Sequence, residues 1–285
     1  MAEPAGRPSL LIVGHGSRSS AGVAEYWDLA RAVTEQAPEL TVGCGFIELA
    51  GPDLDTAIDR LVEQGATSIV ATPLVLLGAG HLKNDGPAAL HRGRHRHRGV
   101  SFTYARDLGI HPLVLGVAEE RIRTAIGSDD PDNTVVVLVG RGSSDPDANA
   151  DLYKVGRLLW DGRGLGSIEP AFVSLALPGV ADALDRGLAL GARRLVVVPY
   201  FIFTGVLVER IRSEARAWAG THTAVEVTIG AHLGADPRIA RLLLERYAEA
   251  VTGDVRMNCD LCVYRVALPG HERHHHPSPT PLERR

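Results

Sequence analysis

The fold this sequence predicts is α/β: two tandem, homologous Rossmann-like domains, each a four-stranded parallel sheet flanked by helices. Three observations predict it. Short apolar runs alternate with amphipathic segments along most of the chain. Proline opens and glycine closes several of the amphipathic segments. A pattern also recurs at a fixed offset of 126 residues, from position 14 to position 140: Gly14-His15-Gly16-Ser17 returns as Gly140-Arg141-Gly142-Ser143. Pro52, Asp59-Arg60, Gly65-Ala66 and Pro73 return at the same offset as Pro178, Asp185-Arg186, Gly191-Ala192 and Pro199.

Leu10 to Val13 is a short apolar run that empties into Gly-His-Gly, the pattern of a buried parallel strand ending in a loop. Ala21 to Gln36 follows with helical spacing, and Val23, Trp27, Ala30 and Val33 share one face. Val42 to Ile47 reads as the second strand. Pro52 opens a helix through Glu63 that Gly65 stops. Ser68 to Thr72 and Val100 to Tyr104 are the third and fourth strands, and Pro112 opens a helix to about Ile126. The second half repeats the order, with strands at Thr134–Val139, Ile168–Ser174, Arg194–Val198 and Val225–Ile229. Strand–helix alternation of this kind implies right-handed crossovers. Gly127 to Asn133 is polar and turn-rich and reads as the linker. The division expected is an N-terminal domain over 9–127, a degenerate repeat over 133–252 and a Cys/His-rich tail over 253–285. Four prolines and His274-His275-His276 make that tail read as disordered.

Bulk composition excludes several classes. The 285 residues are 45% hydrophobic and 22% charged with a net charge of −4, so no global basic field points to nucleic acid. The dense run His91-Arg92-Gly93-Arg94-His95-Arg96-His97-Arg98 can be read as an anion stripe or as a solvated helix end and loop, and the second is the simpler reading. No apolar run approaches the ~18 residues of a membrane span, and the N-terminus lacks a signal-peptide pattern. Three cysteines without an even framework fit a reducing compartment, so a cytoplasmic location is expected.

The two repeats differ where chemistry is possible. His15 becomes Arg141, Glu48 becomes Ser174 and His81 becomes Leu207, while the glycines and prolines persist. In open parallel sheets ligands bind beyond the carboxyl ends of the strands. His15 follows strand one, Glu48 ends strand two and His81 lies in the loop after strand three. Imidazole and carboxylate suit divalent transition metals, and the same groups can move protons near neutral pH. The pattern places one active site in the N-terminal half. Gly78 and Gly80, beside His81, let backbone and ring approach a large flat ligand. Arg18 and Lys83 are cations able to meet substrate carboxylates.

At these residues the sequence resembles the sirohydrochlorin chelatases in their long, two-repeat form. The resemblance is carried by Leu-Ile-Val-Gly-His-Gly-Ser-Arg (11–18), Phe-Ile-Glu-Leu-Ala (46–50) and Pro-Leu-Val-Leu-Leu-Gly-Ala-Gly-His-Leu-Lys-Asn-Asp (73–85). It spans roughly Ser9 to Ala250. It implies a chelatase-type fold and ATP-independent insertion of a divalent metal, Co²⁺ or Fe²⁺, into sirohydrochlorin on the route to cobalamin or sirohaem. It further implies that His15 and His81 bind the metal with Glu48 beside them, and that these three carry catalysis. Ser17, Arg18, Gly78, Gly80, Lys83 and Arg141 are the expected macrocycle contacts. A duplicated chain of this kind can act as a monomer, with a homo-oligomer left open. In the tail, Met257-Asn258-Cys259-Asp260-Leu261-Cys262 resembles an M-x-C-x-x-C motif that some long cobaltochelatases carry with an iron–sulfur cluster. Two thiolates at this spacing can share one metal, and a redox or metal-free pair is the alternative. Cys44 lies in a predicted strand and reads as core.

Two rivals remain at the sequence level. A histidine phosphatase also begins with a strand followed by His-Gly, but carries Arg immediately before the histidine, where this chain has Gly14. A non-enzymatic metal-binding protein accounts for the histidines and the CxxC pair but not for the glycine-framed His81 loop.

Overall fold

The computed structural model describes residues 6–127 and 131–255, without the side chains of residues 80–83 and 131. Eight strands alternate with eight α-helices among the described residues. The first repeat runs β1 (Ser9–Gly14), α1 (Ser20–Gln36), β2 (Val42–Phe46), α2 (Leu54–Glu63), β3 (Ser68–Pro73), α3 (Gly80–Arg96), β4 (Ser101–Tyr104) and α4 (Pro112–Ile126). The second runs β5 (Thr134–Gly140), α5 (Pro146–Trp160), β6 (Ser167–Phe172), α6 (Val180–Ala189), β7 (Arg194–Pro199), α7 (Val206–Thr221), β8 (Glu226–Ile229) and α8 (Pro237–Thr252). Each repeat forms a wholly parallel four-stranded sheet, in the orders β2-β1-β3-β4 and β6-β5-β7-β8. All eight strands thus fall within two residues of their expected ends.

Three sequence expectations need correction. Pro52 does not open α2: Asp53 caps it, its carboxylate accepting the Thr56 N–H at 2.7 Å, and the helix starts at Leu54. A carboxylate at the N-cap satisfies an otherwise orphan backbone donor, which outweighs the fixed φ of proline as a start signal. Trp27 does not join the buried face of α1, which is Gly22, Tyr26, Leu29, Ala30 and Val33. The apolar spacing can be read one residue either way, and Tyr26 takes the inner position because its hydroxyl donates to the Ile12 carbonyl at 3.0 Å. Third, β2 ends at Phe46 and α3 begins at Gly80, so Glu48 lies in the turn after its strand and His81 is the second residue of a helix.

Alternation along the strands splits the interior into three layers. Leu11 and Val13 face an outer core with α2 and α3; Val135, Val137 and Val139 face another with α6 and α7. Leu10, Ile12, Val136 and Leu138 face inward to one central core shared by both repeats. The last helix of each repeat crosses over: α8 packs on β3, and α4 packs on β7. The buried face of α8 (Ile239, Ala240, Leu242, Leu243 and Tyr247) therefore packs against the first repeat, on β3, α1 and α4.

Polar groups fasten the exchange. Arg246, 1% exposed, donates through Nε to the Asp107 carbonyl at 2.9 Å and through Nη2 to the Leu108 carbonyl at 2.7 Å. Its Nη1 pairs with Glu249 at 2.8 Å. Arg121 donates to the carbonyls of His232 and Leu233 from the opposite direction. Among the described residues, no helix is long and apolar enough to cross a membrane.

Candidate active site at the repeat junction

Backbone geometry brings His15 and Glu48 side by side. Past the end of the β1–β2 pairing, Ile47 N–H donates to Gly14 O at 2.9 Å and Glu48 N–H to His15 O at 3.1 Å. Leu49 then takes a left-handed φ of 64°, and Ala50 N–H closes the turn on Glu48 O at 2.8 Å. Gly16 (φ 96°) passes under this turn so closely that a Cβ would lie 1.7 Å from Glu48 O. Only glycine fits there.

The outcome is a histidine facing a carboxylate on a partly open rim. His15 Nδ1 lies 3.6 Å from Glu48 Oε1, with the side chains 31% and 47% exposed. That spacing is electrostatic contact rather than a hydrogen bond. On its other side, His15 Nε2 lies 3.3 Å from Arg141 Nη1. Guanidinium can only donate, so this contact uses the Nε2 lone pair and sets the ring proton on Nδ1, toward Glu48. Two positions that correspond in the duplicated sequence thus meet face to face, and the site lies between the repeats.

His81 enters as the second residue of α3, preceded by the loop that follows β3. Its side chain and that of Lys83 fall outside the description, as do Cys259 and Cys262 with the rest of the tail. Gly78 is half-buried, and its backbone favours the charged form of the nearby Asp107 carboxyl. Gly80 is the first residue of α3. Ser17 is committed elsewhere: its Oγ accepts the Ser19 N–H at 3.0 Å and shapes the entry to α1. Arg18 is exposed beside it. No group of three metal-ligating side chains occurs among the described residues.

Sequence reasoning overlooked Asp107. Burial pushes its carboxyl above the ordinary range, opposed by Arg106 and Arg246. It follows β4, the fourth strand, so the rule that singled out the other three strand ends also applied here. Cys44 sits in β2 as expected, and burial raises its thiol to about 11, so it stays protonated. His111, 4% exposed, caps α4 by accepting the Leu113 N–H at 3.2 Å. Burial, reinforced by Arg246, Arg106 and Arg241, lowers its imidazole to about 3. It is therefore neutral near pH 7, and its 3.4 Å approach to Glu245 is no ion pair.

Comparison with known proteins adds four findings. The CbiX family profile matches residues 9–125 and again 135–250. The sirohydrochlorin cobaltochelatase of Priestia megaterium is 36% identical over 94% of this chain and 88% of its own. SirB from Bacillus subtilis with Fe³⁺ superposes at a TM-score of 0.77, with 29% identity over 87% of this chain and 97% of that one. The sirohydrochlorin chelatase SirB from Bacillus subtilis subspecies spizizenii in complex with cobalt does so at 0.73, with 27% identity over 87% and 96%.

Proposed function

This chain belongs to the CbiX family, and from that membership we propose that it inserts a divalent metal into sirohydrochlorin without ATP, as a lyase-class chelatase. The carrying observation is the His15–Glu48 pair at 3.6 Å on the strand-end rim of the first repeat. The second repeat has Arg141 and Ser174 at those positions. Cobalt is the metal we assign, on the likeness to the cobaltochelatase over nearly the whole chain. Iron is the second reading, favoured by the Fe³⁺ in the SirB structure. Either makes the product a precursor of cobalamin or of sirohaem.

His15, with His81 from the start of α3, receives the incoming ion, and Glu48 supplies negative charge beside it. The ion needs the Nε2 lone pair that Arg141 engages. Arg141 therefore swings away as the metal arrives and becomes available to a peripheral carboxylate of the macrocycle. Arg18 and Lys83 are the further cations proposed for the substrate carboxylates, Ser17 shapes the turn that leads into α1, and Gly78 and Gly80 let the ring lie close to backbone. Insertion releases two pyrrole protons. Glu48 can accept one of them, and His15 Nε2 the other once the ion has left it for the ring, and both pass them to solvent. One chain contributes both sides of the cleft, so a monomer suffices, and no nucleic acid takes part. A cluster on Cys259 and Cys262 would be a separate tail function, and insertion does not depend on it.

The test is anaerobic absorbance of sirohydrochlorin with the protein and Co²⁺, Fe²⁺ or Ni²⁺ in separate runs. Expected is a rate above the spontaneous one, greatest with Co²⁺ and lost in His15→Ala. Metal binding without acceleration would instead make the protein a metal carrier.

A further inference from the structure

On the solvent face of α3, one turn apart, His91 and His95 point their Nε2 atoms at each other across 3.1 Å, with ring centroids 4.6 Å apart. We propose that these two imidazoles form a second metal site, a bidentate clamp for a borderline divalent ion such as Co²⁺, Ni²⁺, Zn²⁺ or Cu²⁺. The inference rests on this geometry and not on the chelatase reading.

Four observations support it. First, spacing: residues at i and i+4 share one helix face. With metal–nitrogen bonds of ~2.1 Å, a nitrogen separation of 3.1 Å subtends about 95° at the ion. That falls between the right angle of an octahedral centre and the wider angle of a tetrahedral one. Second, access: both residues are exposed, while Gly86, Ala89, Leu90 and Gly93 form the buried face, so water can complete the coordination.

Third, charge. The run is rich in arginine, which would repel a cation, but three of its four guanidiniums, those of Arg92, Arg94 and Arg96, are tied down, while Arg98 lies exposed past the helix end. Arg92 pairs with Asp55 at 2.9 Å, and Arg96 pairs with Asp55 at 2.8 Å and Asp59 at 3.2 Å. Arg94 turns onto the Phe102 carbonyl at 2.8 Å. Fourth, proton balance. At neutral charge one Nε2–H can donate to the other Nε2. Moving that proton to Nδ1 and turning both rings slightly outward aims two lone pairs at one ion, and no proton need be lost for it to bind.

Ten residues separate His91 from His81, about 15 Å of helix, so this clamp is distinct from the site at the repeat junction. Because it bridges two turns, an occupied clamp also stiffens the helix that presents His81.

Equilibrium dialysis of the full-length, metal-stripped protein against Co²⁺ and, separately, Zn²⁺ tests the proposal. His91→Gln/His95→Gln is expected to bind one equivalent fewer than wild type. Each single variant should lose nearly the whole equivalent, since a lone exposed imidazole binds far more weakly than the pair. Any binding by the tail cancels in the difference. Glutamine is a good helix former, so α3 is retained. In parallel, substoichiometric Co²⁺ should broaden the ring resonances of His91 and His95 together. Unchanged stoichiometry in the double variant, or broadening of one ring without the other, would overturn the clamp. Insertion rate at saturating metal should be unchanged in the double variant.

Discussion

The first loops of the two repeats have one backbone and two chemistries. Gly142 (φ 85°) repeats Gly16, and a Cβ there would lie 1.8 Å from Ser174 O, against 1.7 Å from Glu48 O at Gly16. Ser174 N–H reaches Arg141 O at 3.0 Å as Glu48 N–H reaches His15 O at 3.1 Å, and Leu175 (φ 60°) matches Leu49 (φ 64°). Backbone constraint has kept the glycines because nothing else fits. The side chains above them are free of that constraint, and there His15 and Glu48 have become, or come from, Arg141 and Ser174. In a duplicated protein the retained positions report folding and the divergent ones report function.

The largest expected effect separates the two loops. His15→Ala should lower the catalysed insertion rate by about 10²-fold or more. Arg141→Ala should keep most of it while tightening apparent Co²⁺ affinity a few-fold, because the Nε2 lone pair is then open. Initial rates against metal concentration check both.

Next comes a test in which the loops should behave alike. Gly16→Ala and Gly142→Ala each force a Cβ into a carbonyl oxygen and a left-handed φ onto alanine. Each should cost about 4 kcal/mol and lower Tm by roughly 10 °C. Calorimetry of the pair checks this, and a tolerant Gly142→Ala would break the equivalence.

Arg246→Met probes the helix exchange. It removes three hydrogen bonds from a buried group and strands Glu249, at a cost of about 3–5 kcal/mol. Because Arg246 holds the carbonyls of Asp107 and Leu108, insertion should fall as the segment leading into α4 loosens. Hydrogen exchange along α4 and the loop at Gly78 would register it.

The effect that is smallest near neutral pH is the pH dependence at His111. Its folded imidazole titrates near 3 and its unfolded one near the ordinary 6.5. Between those values the unfolded chain binds the extra proton, so stability is full above about pH 6.5 and falls as pH drops toward 3. The slope approaches about 1.4 kcal/mol per pH unit. His111→Asn keeps a capping oxygen and should flatten that slope in denaturant titrations.

The architecture was legible in the sequence because strands buried on both faces read as unbroken apolar runs, as at Leu10–Val13 and Val135–Val139. The candidate site was legible because the repeat supplied its own control. What local pattern could not carry was the exchange of α4 and α8. An amphipathic helix records that it has an apolar face, not whose sheet covers it. Arg246, lying between Leu243 and Tyr247 on that face, was the available hint: a charge among buried positions needs partners, and here the two carbonyls it meets come from the other repeat. Asp107 went unseen for a different reason, since it recurs in no motif and its burial comes only from the fold.

The central claim is that catalysis belongs to one repeat. It is tested most directly by measuring Co²⁺ insertion into sirohydrochlorin by His81→Ala and Leu207→Ala side by side, since these residues hold the same position in α3 and α7. We expect the first to fall to the spontaneous rate and the second to stay within a few-fold of wild type. Equal losses, or a retained rate in His81→Ala, would contradict the account.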